Sequence, residues 1–119
     1  MTGVTVGAWL EAFVLTYVIE AAIALPMLRA ADPSLARRAA LCWFAQLVTH
    51  PAVWFIIPRL GLSDPVTVVV AEIWALVLEG VFYALVFPSA GLRHAILVSI
   101  AANAASFSVG MALRAFHVM

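Results

Sequence analysis

Four long apolar runs constrain the fold of this chain more than any other feature of its sequence. The runs cover residues 6–28, 39–58, 67–87 and 94–113, and Pro, Gly, Asp or Arg stands in each break between them. A helix of about 20 residues rises about 30 Å, which matches the hydrocarbon layer of a bilayer. Membrane-spanning strands are excluded because they need alternating segments of about 10 residues. The runs therefore predict four transmembrane α-helices.

The composition agrees with a membrane location and excludes other classes of protein. Apolar residues make up 66% of the 119-residue chain and charged residues 10%, against roughly 45–50% and 25% in soluble domains. A soluble globule of this size has too little interior for so many apolar side chains, whereas lipid solvates them. The net charge is zero and lysine is absent, so we expect no nucleic-acid partner.

The spacing of the runs predicts an all-α fold with one transmembrane domain over residues 1–119, an antiparallel up-down four-helix bundle with short loops. Arginine placement predicts that the loops after the first and third helices are cytoplasmic, with both termini outside a plasma or inner membrane. The arginines divide four against two: Arg29, Arg37, Arg38 and Arg93 on one side, Arg59 and Arg114 on the other. Glu11 and Glu20 interrupt the first run, so we expect no cleavable signal peptide.

Polar side chains inside the predicted spans are the candidate functional residues. A charge at the centre of a membrane helix costs roughly 2.5–3.5 kcal/mol on insertion scales. Such groups must therefore face inward, pair with one another or carry protons. The most informative polar residues within the spans are Glu11, Glu20, Gln46, His50, Glu72, Glu79 and Asn103.

Helical spacing places several of these groups on common faces. Glu72 and Glu79 are seven residues apart and share a face of the third helix, which Tyr83 extends. Gln46 and His50 are four residues apart and share a face of the second helix. We therefore expect a polar face on each of these two helices.

The first and fourth helices each supply one polar group at a similar depth. Glu20 clusters with Tyr17, whereas Glu11 lies nine residues from Glu20 and so faces another direction. Asn103 belongs to a face of small residues that includes Ser106, and such faces let helices approach closely. If the helices alternate in direction, two layers follow. Glu20, Gln46, Glu79 and Asn103 lie slightly cytoplasmic of the midplane, whereas His50 lies slightly outward and Glu72 about 7 Å outward.

This convergence predicts a small cation or proton channel or transporter. Pro51 removes a helical hydrogen bond and frees the Leu47 carbonyl beside His50. Carboxylates, an imidazole and a carbonyl together can coordinate a cation or relay protons. The residues predicted to bind the ion or proton are Glu20, Glu72, Glu79, His50 and Asn103, with Gln46, Tyr17 and Tyr83 in support.

Two other functions stay open. One is a membrane-embedded enzyme that acts on a lipid or isoprenoid, with a divalent metal ion as cofactor held by Glu20, His50, Glu72 and Glu79. The other is an accessory subunit whose polar residues bind the helices of a partner. In every case membrane lipids surround the chain, and we expect a homodimer, because four helices enclose little space.

Overall fold

A computed structural model describes residues 6–115 of the protein and contains four long helices. Helix α1 spans Val6–Met27, α2 spans Leu35–Pro51, α3 spans Asp64–Val86 and α4 spans Leu92–Ala115. No strand occurs between residues 6 and 115. The prediction of an all-α chain with four helices is confirmed for this part of the sequence.

Each helical segment is long and apolar enough to cross a membrane. Only 22–33% of the residues in these segments are buried inside the protein. Most side chains of the four helices therefore face outward, where their apolar character suits lipid. The segments are Leu10–Met27, Leu35–Leu60, Asp64–Val86 and Leu92–Leu113. This is the arrangement of a multi-pass membrane protein.

The helices form a ring in which α1 and α3 each pack against both α2 and α4. Two of the three connections lie together, because the Ser89 hydroxyl donates to the Ala31 carbonyl at 3.0 Å and His94 Nε2 lies 2.6 Å from the Met27 carbonyl oxygen. We call this end, which carries the α1–α2 and α3–α4 connections, the loop end. The opposite end, which carries the α2–α3 connection, is called the far end.

Helices α2 and α3 begin before the predicted residues 39 and 67 because polar residues start them. Ser34 caps α2, and its Oγ accepts a hydrogen bond from the backbone N–H of Arg37 at 3.2 Å. Ser63 has an extended backbone before α3, and Pro65 lies in the first turn of that helix, where its missing N–H costs nothing. A prediction from apolar runs alone therefore starts these two helices too late, because their first turns are polar.

The second span loses α-helical geometry at Pro51. The α-helix ends there, and the chain continues as a π-helical turn, Ala52–Ile56, followed by a 3-10 turn, Ile57–Leu60. Proline has no N–H to maintain the α-helical pattern, and π turns are a common adjustment inside helices. Gly61, with φ of 75°, ends the segment in the left-handed conformation that glycine adopts readily.

The loop end of the bundle is filled by a cluster of small, aliphatic and aromatic side chains, each at most 2% exposed. We call this set the apolar plug: Ala24, Leu28, Cys42, Ala45, Tyr83, Phe87, Ala95 and Val98. Arg38, at the start of α2, is also buried, and its guanidinium donates to the Leu25 carbonyl. The side chain of Arg114 lies outside the described set.

Candidate functional site

Two carboxyl groups, Glu20 on α1 and Glu79 on α3, lie at the centre of the bundle, 3% and 1% exposed. The side-chain amide of Gln46 on α2 lies between them. Its Nε2 donates to Glu20 Oε1 at 2.9 Å and to Glu79 Oε1 at 3.3 Å. A single amide group thus joins three helices at one point.

The remaining donors to the two carboxyl groups come from α2 and α4. Ser106 Oγ donates to Glu20 Oε2 at 2.9 Å, and Asn103 Nδ2 donates to Glu79 Oε2 at 2.9 Å. Thr49 Oγ1 donates to Glu79 Oε1 at 3.2 Å. All four carboxyl oxygens therefore accept a hydrogen bond, and every donor is an uncharged group. We call these six residues the polar cluster: Glu20, Gln46, Thr49, Glu79, Asn103 and Ser106.

Asn103 is held in place by close contact between α3 and α4. Ser99, one turn earlier on α4, donates from Oγ to the Leu76 carbonyl of α3 at 2.7 Å, and Asn103 Nδ2 also donates to the Ser99 carbonyl at 2.9 Å. A Cβ atom placed on Gly80 would lie 3.7 Å from Ser99 Cβ. The small size of the residue at position 80 lets α4 bring Asn103 against Glu79, and nothing larger than alanine fits at ordinary contact distance.

The two hydroxyl groups of the polar cluster each have a second acceptor on their own helix. Ser106 Oγ lies 3.2 Å from the Asn103 carbonyl oxygen, and Thr49 Oγ1 lies 3.3 Å from the Ala45 carbonyl oxygen. A hydroxyl has one proton and two lone pairs, and its proton rotates to suit the surroundings. Each hydroxyl can therefore turn from donor to acceptor toward the carboxyl group while all heavy atoms stay in place.

No cationic side chain is bonded to the carboxyl pair among the side chains that the structure describes. The ion pair found within the described part of the chain lies at the loop end, where Arg37 Nε and Asp32 Oδ2 are 3.6 Å apart. The guanidinium of Arg38 bonds to a backbone carbonyl instead. Two ionised carboxylates without a counter-charge are costly in an apolar environment. Neutralisation of one of the two carboxyl groups would lower this cost.

The structure brings together four residues that the sequence singles out: Glu20, Gln46, Glu79 and Asn103. Thr49 completes the set and was missed, although it lies three residues after Gln46 on the same helical face. The sequence places Ser106 on the same face of α4 as Asn103 but does not predict it as a binding residue. Glu11 is exposed whereas Glu20 is buried, as their nine-residue separation predicts.

Two predicted residues lie toward the far end rather than in the polar cluster. The ring of His50 packs edge-on against Phe13, with centroids 5.3 Å apart, and lies 6.2 Å from the ring of Trp54. Glu72 is half-buried, two turns before Glu79 on α3. They therefore lie between the polar cluster and the far end of the bundle.

The two tyrosines predicted as supporting residues lie outside the polar cluster. Tyr17 Oη donates to the Ala39 carbonyl at 3.1 Å and so ties α1 to α2. Tyr83 is fully buried in the apolar plug with Cys42, and its hydroxyl has no hydrogen-bond partner within the described part of the chain. Both residues pack the bundle around the polar cluster.

The four residues predicted to hold a divalent metal ion do not form a ligand set. In the described chain, no three His, Cys, Asp or Glu side chains come together in a group that could hold a metal ion. Glu20 and Glu79 are joined through Gln46, whereas His50 lies among aromatic rings and Glu72 lies two turns away.

The polar cluster is covered unequally on its two sides. Toward the loop end, Leu28, Phe87 and Val98 of the apolar plug are 0–1% exposed. Toward the far end, Phe13 is 1% exposed, but the next acidic group, Glu72, is half-buried and so reaches the surface. Large apolar side chains therefore cover the polar cluster toward the loop end, whereas an acidic side chain reaches the surface toward the far end.

Comparison of the chain with protein-family models, with curated proteins and with solved structures finds no match. The functional argument rests on the geometry of the polar cluster.

Proposed function

We propose that the protein is a small membrane transporter or channel for protons or cations that acts through the polar cluster. The supporting observation is a pair of carboxyl groups, Glu20 and Glu79, buried at the centre of four helices of membrane length. Ionisable groups at this depth are costly and commonly mark ion or proton paths. A bound proton or cation would offset the charge of the pair.

In this proposal the helices cross a plasma or inner membrane in antiparallel order, with the loop end in the cytoplasm and both termini outside. The support is the distribution of arginine, because cytoplasmic loops carry an excess of positive residues. The arginines at or near the loop end are Arg29, Arg37, Arg38 and Arg93. Arg59 lies near the far end.

The transported ion enters the polar cluster from the far end, by way of Glu72 and past His50. The half-burial of Glu72 and the tight packing of the apolar plug support this direction. Passage to the loop end then requires the plug to open. Transport by alternate exposure of the site fits this arrangement better than a continuously open pore.

We also propose a homodimer in the membrane. Glu11 is exposed on α1 beside the apolar residues Leu10, Val14 and Val18, and a contact between copies would remove its carboxyl group from lipid. Chemical cross-linking in lipid that captures only monomer would count against the dimer. The transport proposal does not depend on it, because the polar cluster lies within one copy.

Flux measurements in proteoliposomes test the proposed function. Glu79→Gln removes one charge of the pair and preserves the size of the side chain, so proton- or cation-dependent flux should fall to the level of protein-free liposomes. Glu11→Gln makes the same chemical change at an exposed position and should retain the flux. Undiminished flux in folded Glu79→Gln protein would show that the polar cluster is not the path.

A further inference from the structure

We propose that the species bound between Glu20 and Glu79 is a proton, which the hydroxyl groups of Ser106 and Thr49 and the amide of Gln46 accommodate by reorientation. This inference names the substrate of the proposed function and rests on that function. It also assigns a switching role to two hydroxyl residues.

The donors around the pair disfavour a metal cation. A metal cation needs free lone pairs, and Ca²⁺, for example, takes about six to eight oxygen ligands. Here each carboxyl oxygen faces an N–H or O–H group at 2.9–3.3 Å. The two amide groups present nitrogen donors to the carboxyl oxygens, and such donors repel a cation. The members of the cluster nearest the centre, Gln46, Thr49 and Glu79, are each 1% exposed.

The hydroxyl groups suit a proton, because they exchange roles when one arrives. Protonation forms an O–H bond at Glu20 Oε2, and the new O–H donates to Ser106 Oγ. The Ser106 proton then rotates to the Asn103 carbonyl oxygen, 3.2 Å away. Thr49 and the Ala45 carbonyl offer the same exchange for Glu79 Oε1. No other covalent bond changes, and the charge of the pair falls from two negative charges to one.

An unpartnered buried acceptor is independent support. Gln46 is 1% exposed, and its Oε1 has no hydrogen-bond partner within the described part of the chain. An acceptor without a donor is costly in a buried site. Rotation of the amide by half a turn would bring Oε1 to the position of Nε2, 2.9 Å from Glu20 Oε1. A proton carried on Glu20 Oε1 is the donor that fits this acceptor, as the alternative to a proton carried on Oε2.

Other titratable groups surround the pair on three helices. Tyr17 lies on α1, Cys42 and His50 on α2, and Glu72 and Tyr83 on α3, whereas α4 contributes neutral Ser99, Asn103 and Ser106. A proton on the pair is bound to a carboxylic acid group. Among the titratable groups around the pair, only Glu72 has another carboxylic acid group. Acid loads the pair with its proton and alkali removes it, so the loaded form should accumulate as the pH falls.

Infrared difference spectroscopy of the purified protein in lipid, between acidic and alkaline buffers that contain choline as the only cation, tests this inference. We expect the carbonyl band of a protonated carboxylic acid in acid. The component of this band that belongs to the pair should change in frequency and area in Glu20→Gln and in Glu79→Gln, because one carboxyl group then takes the proton alone. It should be unchanged in Glu11→Gln and Glu72→Gln. Ser106→Ala should shift the band to higher frequency, because the acid loses its acceptor, whereas Ser108→Ala should leave it unshifted. If a glutamine variant fails to fold, Glu20→Asp and Glu79→Asp should each shift the band.

Measurements on the same protein distinguish a failure of this inference from a failure of the proposed function. If sodium, potassium or calcium salt at constant acidic pH removes the band of the pair, the polar cluster binds a cation. That outcome overturns the proton and leaves the transport proposal standing. If the band responds to pH but wild-type protein carries no flux in proteoliposomes, proton binding holds and transport is refuted. If no buffer changes the band, both are refuted.

Discussion

Replacement of Gln46 by leucine should destabilise the bundle, because it removes the hydrogen bonds from the amide to Glu20 and Glu79, and the bond to Glu20 has no substitute. Leucine cannot donate, so Glu20 Oε1 loses its donor, whereas Glu79 Oε1 keeps the Thr49 hydroxyl at 3.2 Å. Hydrogen bonds to charged groups contribute about 1.5–3 kcal/mol in soluble proteins, and those between membrane helices average about 0.6 with a maximum near 1.7 kcal/mol. The bond is 2.9 Å long and fully buried. We therefore expect a coupling of about 1–2 kcal/mol, roughly 5- to 30-fold in the unfolding equilibrium constant.

A double-mutant cycle measures this coupling. Unfolding in mixed micelles is followed for Gln46→Leu, Glu20→Leu and the double variant. Each single change leaves a buried polar group without its partner, whereas the double change replaces both by apolar groups. The double variant should therefore be more stable than the sum of the two single effects implies. A parallel cycle with Glu11→Leu is the control, because Glu11 is exposed and its effect should add to that of Gln46→Leu.

Additivity would refute the reasoning. If the cycle of Glu20 and Gln46 closes within about 0.5 kcal/mol, as it does for independent sites, the amide does not bond to Glu20 in the folded protein. The central contact of the proposed site would then be absent.

Three further changes follow from the same contacts. Ser106→Ala removes the donor to Glu20 Oε2 and should cost about 1 kcal/mol of unfolding free energy, whereas exposed Ser108→Ala should stay within about 0.5 kcal/mol in the same micelle assay. Gly80→Ala should be tolerated, because its Cβ would meet α4 at an ordinary 3.7 Å. Gly80→Leu should push α4 away and clearly lower the denaturation midpoint. Equal midpoints for the two variants would contradict this. Cys42 is 2% exposed and should resist maleimide until the protein is unfolded, so rapid labelling of folded protein would contradict the packing of the apolar plug.

The helices are predictable from the sequence because hydropathy and length determine them almost alone. The boundaries of the helices are less predictable from the sequence, since they depend on local polar residues. Ser34 and Pro65 start α2 and α3 among residues that a hydropathy scan discards. Pro51 is visible in the sequence, but the π turn that follows it depends on how the backbone recovers its hydrogen bonds.

The polar cluster was partly predictable. Glu20, Gln46, Glu79 and Asn103 stand out because polar groups are costly at that depth. Thr49 does not stand out, because a threonine in a helix commonly bonds to its own backbone, and here it bonds to both the Ala45 carbonyl and Glu79.

The surroundings of His50 show a second limit. The depth of His50 and Glu72 follows from helical rise, but the aromatic rings of Phe13 and Trp54 surround His50 in a way that no single-helix pattern reveals. Spacing along a helix gives the direction of a side chain. The neighbours it meets depend on how the four helices rotate against one another.

Solid-state NMR of the protein in lipid tests the central claim most directly, because the chain contains a single glutamine. NMR-active nitrogen is placed in the side chain of Gln46 and NMR-active carbon in the glutamate carboxyl groups, and their dipolar coupling is measured. The structure predicts strong coupling to two carboxyl carbons, reduced to one in Glu20→Asp and in Glu79→Asp. An absence of coupling between the Gln46 amide nitrogen and any glutamate carboxyl carbon would contradict the bridged carboxyl pair.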